Sequence, residues 1–151
     1  MKKIKNNKNI IEINYHLLKD KKDIFAGRHI LLDMFSEKYS KDMDEMKNIL
    51  KISIEKSKAT IIYDYFHKFG EQGYTGVFIL SESHLSIHTW PEVGLITIDS
   101  YMCGVCDPKI AIDSIIEMVK PERHEIKFFK RGILKDIKNF NFIPPAQSDI
   151  K

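Results

Sequence analysis

Two hydrophobic rhythms divide the chain between residues 27 and 132. The segment Leu95–Met102 (LITIDSYM) alternates with period two, the pattern of a strand that buries one face. The segment from Asp42 to Ala59 instead spaces Met43, Met46, Ile49, Leu50 and Ile54 three and four apart, which predicts a one-sided amphipathic helix. Further strands are predicted at 27–35 (GRHILLDMF), 59–69 (ATIIYDYFHKF), 77–82 (VFILSE), 84–90 (HLSIHTW, ended by Pro91) and 124–132 (HEIKFFKRG). The glycine-punctuated stretch GEQGYTG (70–76) reads as a loop. Asp107-Pro108 supplies an N-cap followed by proline at the first helical position, so a second helix is expected from Pro108 to Val119, stopped by Pro121.

Strands interrupted by two amphipathic helices predict an α+β two-layer sandwich, an antiparallel sheet with both helices on one face. The other face must then be polar or covered by a partner. One domain is expected over residues 27–143. Residues 1–26 form an extension of uncertain structure, and residues 144–151, with two prolines, an irregular tail.

Composition narrows the class. At 151 residues and 43% apolar the chain suits one globular domain with a proper core. The net charge is +3, only three of its cationic residues are arginines, and lysines are interleaved with acids. That is a solvated surface rather than a nucleic-acid face. No apolar run approaches the roughly 18 residues that cross a bilayer, and the basic start lacks a signal-peptide core, so a soluble, cytoplasmic protein is expected. Two cysteines are too few for a disulfide framework.

Chemistry concentrates in SESHLSIHTWPE (81–92). On strict alternation His84, Ser86 and His88 share one strand face, and Leu85, Ile87 and Thr89 the other. Such residues could simply decorate a wet face. CGVC (103–106) with His84 and His88 could be drawn as a two-His, two-Cys zinc site. Against that, four strand positions separate the imidazoles by about 13 Å. A thioredoxin-like role is disfavoured because Cys103 ends a strand instead of opening a helix. A serine hydrolase would want a glycine-flanked strand-to-helix elbow, which is missing here.

The run GYTGVFILSESHLSIHTWPE followed by LITIDSYMCG resembles the prokaryotic S-adenosylmethionine decarboxylase proenzymes, a pyruvoyl-dependent family. GRH (27–29), FHKF (66–69) and the CG–DP pattern (103–108) fit it too, over roughly residues 27–132. The resemblance implies self-cleavage between Glu82 and Ser83 into a β chain of residues 1–82 and an α chain of residues 83–151. Ser83 would become a covalent pyruvoyl group that forms a Schiff base with the substrate amine, with neither pyridoxal phosphate nor a metal required. It further implies His88 as the processing proton acceptor, Thr75 as an assisting hydroxyl and Cys103 as the proton donor in decarboxylation. Phe69 would stack on the adenine and Glu92 bind the ribose. The implied product, decarboxylated S-adenosylmethionine, donates aminopropyl groups for spermidine synthesis, and the implied assembly is a homodimer of cleaved protomers. The same machinery could act on arginine or ornithine. One tension is that Ser83 and His88 lie five positions apart, about 16 Å along a straight strand.

Overall fold

The computed structural model describes residues 11–13, 17–71, 73–134 and 140–142. In chain order the elements are β1 (Ile11–Ile13), β2 (Leu18–Lys19), β3 (Ile24–Phe35), α1 (Glu37–Lys41), α2 (Met43–Lys56), β4 (Ile61–Lys68), β5 (Tyr74–Leu80), β6 (Ser83–Trp90), β7 (Leu95–Cys103), α3 (Pro108–Val119), β8 (Arg123–Ile133) and β9 (Phe140–Phe142). The main sheet is antiparallel and runs β4-β5-β6-β7-β3-β8, with β2 beside β3 beyond the end of β7. β1 and β9 form a separate parallel pair. Among the described residues no helix is long and apolar enough to cross a membrane.

Local signals set the helices. The Asp42 carboxylate caps α2 by accepting from the Glu45 amide at 3.0 Å, and Asp107 caps α3 by accepting from Lys109 at 2.9 Å. α3 stops at Lys120, in the left-handed region just before Pro121. Both helices turn their apolar stripes onto one sheet face. Leu50 and Ile54 of α2 and Ile112 and Ile115 of α3 meet Leu32, Leu85, Ile98 and Met102 in one fully buried cluster. Ser53 donates to Ser114 at 3.2 Å between the helices, so these buried hydroxyls satisfy each other.

The predicted two-layer α+β architecture holds, with three boundary corrections. Residues 74–76, read as loop, begin β5. The Tyr74 ring is fully buried and its hydroxyl donates to the Tyr39 carbonyl at 2.6 Å, so packing overrides the flanking glycines. The strand expected through Glu82 ends at Leu80, because Ser81 and Glu82 make a two-residue turn. β3 starts at Ile24, three residues inside the predicted extension. The one-turn helix α1 had no periodic signal, being only five residues long. The predicted irregular tail 144–151 lies outside the described residues.

Among the described residues, the sheet face away from the helices leaves large side chains exposed. It carries exposed Tyr63, Tyr65 and Ile79 toward the β4 edge and, centrally, the histidines of β6.

Candidate active site

The β5–β6 hairpin places the SESHLSIHTWPE residues. Its register pairs Leu80 with Ser83 and Thr75 with His88, so the turn is centred between Ser81 and Glu82. Three hydrogen bonds clamp that turn. The Ser81 amide donates to the Thr60 carbonyl at 2.9 Å, the Thr60 amide to Glu82 Oε2 at 2.9 Å, and the Cys103 amide to the Glu82 carbonyl at 3.1 Å. Ser83 is held at φ 144°, a conformation L side chains rarely adopt, which costs about 1–3 kcal/mol. Its Oγ lies 3.1 Å from His84 Nδ1. The Glu82–Ser83 amide thus combines a strained residue, a fixed hydroxyl and a carbonyl polarised by a backbone donor.

Cys103 follows directly, as the last residue of β7. Burial, and then the nearby Glu82 carboxylate, push its thiol pKa up, so the thiol is protonated at neutral pH. The same two causes raise Cys106 to about 11, and its sulfur donates to the Lys58 carbonyl at 3.2 Å. The residues of the zinc reading do not converge. His84 and His88 are four positions apart in an unbroken ladder, about 13 Å. Among the described residues no three His, Cys, Asp or Glu side chains are gathered where one ion could be held.

Around His84 the open face holds a cluster that sequence reasoning missed. The His84 ring sits 5.8 Å from Tyr101 and 6.4 Å, edge-on, from His29. The Arg131 guanidinium approaches His29 Nδ1 at 2.9 Å, and His29 Nε2 lies 3.3 Å from Asp99 Oδ1, outside hydrogen-bond geometry. Tyr101 can lie flat here because Gly27 has no side chain; a Cβ there would be 2.6 Å from the ring. Burial, then His29 and also Arg131, lower the His84 pKa against an opposing pull from Asp99. The register arithmetic that paired Thr75 with His88 could have found part of this cluster, since His84, Tyr101 and His29 are directly cross-strand.

The remaining predicted residues gather at the other end of the hairpin. His88 lies between Phe69, at 6.0 Å, and Trp90, at 4.4 Å between ring centroids. Phe69 is 44% exposed, so it is not a core residue. Thr75 faces His88 across the ladder, and its hydroxyl donates to the Ile87 carbonyl at 3.1 Å. Glu92 is exposed in the loop after β6, on a cleft of about 790 Å³ that Phe35, Lys41, Glu71 and Glu122 also line. Glu82, Ser83 and Cys103 therefore meet at one end, and Thr75, His88 and Phe69 at the other. β6 pairs with β7 from Ser83 to Trp90 without a bulge, so about 16 Å separates Ser83 from the His88 of its own chain.

Comparison with known proteins places the chain in a family. The family model described as S-adenosylmethionine decarboxylase matches residues 28–132. An S-adenosylmethionine decarboxylase proenzyme of Methanococcus maripaludis is 42% identical over 114 residues, covering 73% of this chain and 93% of the relative. One from Geobacillus kaustophilus is 42% identical over 109 residues, covering 71% and 88%. The crystal structure of the adenosylmethionine decarboxylase from Aquifex aeolicus superposes with a TM-score of 0.67 at 36% identity, over 75% of this chain and 96% of that one. A family model over residues 28–132, relatives at 42% identity and a matching solved fold have one reading: the chain belongs to the S-adenosylmethionine decarboxylase family.

Proposed function

We propose that this protein is a self-processing, pyruvoyl-dependent decarboxylase of S-adenosylmethionine, active as a cytoplasmic homodimer. The carrying observation is the Glu82–Ser83 junction, where the strained serine and the donor-clamped carbonyl fit a peptide bond that rearranges. The Ser83 hydroxyl attacks the Glu82 carbonyl, and the Cys103 amide receives the developing oxyanion. Collapse converts the amide into an ester. Loss of the Ser83 α-proton then expels the Glu82 carboxylate, and hydrolysis of the dehydroalanine releases ammonia. The pyruvoyl group left at residue 83 supplies the electron sink that decarboxylation of an amino acid demands. Cys103, kept as a thiol, returns a proton to the substrate Cα.

His88 is the proton acceptor for the α-proton; because about 16 Å of β6 separates it from the Ser83 of its own chain, it serves the Ser83 of a second copy. A two-fold axis through the open face, midway between the two ends, would bring Ser83 and Cys103 of each chain against Thr75, His88, Phe69 and Glu92 of the other. It would also cover the exposed Tyr63, Tyr65 and Ile79. Phe69 offers an aromatic face to an adenine or a sulfonium cation, the latter worth roughly 0.5–2 kcal/mol. Glu92 offers a carboxylate to ribose hydroxyls.

The test is mass spectrometry on purified protein with an amino-terminal sequencing step. Two fragments divided at 82/83, the second refractory to Edman degradation, are expected, along with labelled CO2 released from carboxyl-labelled S-adenosylmethionine. A folded chain that stays intact overturns the proposal. Release from arginine or ornithine instead overturns the substrate.

A further inference from the structure

The proposed chemistry gives Ser83 a nucleophilic role but names no group to take its hydroxyl proton. His88 of the same chain is about 16 Å away, and its assigned proton is the later one on Cα. Resting on that self-cleavage reading, we propose that His84 is the base of the first step. Its Nδ1 takes the Ser83 Oγ proton as the oxygen bonds to the Glu82 carbonyl carbon. The carbonyl electron pair moves onto oxygen, against the Cys103 amide. As the C=O re-forms, the C–N bond breaks, and the His84 imidazolium delivers the same proton to the Ser83 nitrogen. The products are an ester and an amine, with no co-reactant.

The contact is direct. Oγ and Nδ1 are 3.1 Å apart, within reach for general-base catalysis, and the acceptor role requires the tautomer protonated at Nε2. Neighbours hold the ring in place. His29 on β3 and Tyr101 on β7 pack against it, and Arg131 on β8 backs both, at 2.9 Å from His29 and 5.6 Å from the Tyr101 ring centre. The only carboxylate in this set is Asp99 on β7; across the β5 ladder His84 faces uncharged Ile79. Burial and the cationic side of this set favour the neutral imidazole, the form that can accept a proton. The two histidines of the SESHLSIH segment thereby divide the work: His84 moves a proton between heteroatoms of its own chain, and His88 of the second copy removes the carbon-bound one.

Hydroxylamine at neutral pH cuts an ester and leaves an amide, so it reads out the first step alone. In His88→Ala the ester is expected to accumulate, and hydroxylamine to release a fragment that begins with an unmodified, sequenceable Ser83. In His84→Asn/His88→Ala, where a polar partner for Oγ remains but no base does, that fragment is expected to form at least ~100-fold more slowly. His84→Ala/His88→Ala tests the same point with added imidazole, which is expected to restore part of the rate. Fragment formation in His88→Ala should fall as acid protonates His84, and both double variants should lose that dependence. A double variant that folds with an unchanged thermal transition and forms ester at the His88→Ala rate overturns the assignment and leaves self-cleavage standing. A wild-type chain that never cuts overturns both.

Discussion

The two ends of the β5–β6 hairpin use similar residues for opposite purposes. At the turn end the reacting residues are constrained: Glu82 accepts from two backbone amides, Ser83 is forced to positive φ, and His84 is wedged among Tyr101 and His29. At the far end His88 is flanked by rings, one of them exposed, and Glu92 of the following loop lines a wide cleft. Strain and clamping suit a site that acts on its own backbone, where the substrate is always present and only the barrier matters. Exposure suits a site that must admit a small molecule. On the proposed chemistry neither end is complete alone, and a second copy would join them.

The sharpest way to break that view is complementation. Ser83→Ala and His88→Ala should each abolish cleavage when expressed alone. Co-expressed, they should form a mixed dimer in which the Ser83 of one chain faces the His88 of the other. The His88→Ala chain is then expected to be cut at 82/83, visible as a tagged fragment on a denaturing gel. No fragment from the mixture would mean that the ends do not meet across copies. Next in size, Cys103→Ala should cleave, because its backbone amide still holds the Glu82 carbonyl, yet decarboxylate roughly 10²–10⁴-fold more slowly. Loss of cleavage in this variant would place the thiol at the turn end's own chemistry instead.

How much of this was legible beforehand follows from the range of the interactions. The hairpin register was readable from Thr75 and His88 because strand side chains alternate and a two-residue turn fixes pairing. The α3 boundaries were readable from Asp107, Pro108 and Pro121 because capping is local. The start of β5 reads as loop because Gly73 and Gly76 flank Tyr74, and only tertiary burial reveals that this tyrosine is an anchor. The cluster on His84 was hidden for a stronger reason. His29, His84, Tyr101 and Arg131 come from four strands spread over a hundred residues, and no local pattern joins them. GRH could be quoted as a motif, yet its glycine acquires a reason only when the Tyr101 ring lies over it.

A smaller effect sharpens the binding side. Phe69→Ala should leave cleavage untouched and raise KM for S-adenosylmethionine roughly tenfold, the loss expected for one aromatic face against a cation or a purine. An unchanged KM in steady-state assays would reduce Phe69 to a surface ring and move recognition elsewhere on that end.

The smallest expected effect concerns the proton donor proposed at the turn end. The Cys103 thiol is raised first by burial and then by the Glu82 carboxylate, and both disfavour thiolate. A proton donor with a raised pKa keeps its proton to higher pH, so the alkaline limb of kcat should lie above that of an ordinary thiol. Glu82→Gln removes the side-chain charge while its amide oxygen can still accept from Thr60, so the turn and its cleavage should persist. Burial remains, as does the main-chain carboxylate that cleavage leaves on residue 82; the side-chain repulsion goes, and the thiol pKa falls. The alkaline limb should therefore move to lower pH with little change in turnover at neutrality, measurable as a pH–kcat profile. A limb that stays in place would mean that the Glu82 side-chain charge does not set the donor, and that this residue matters only as the carboxyl side of the bond that breaks.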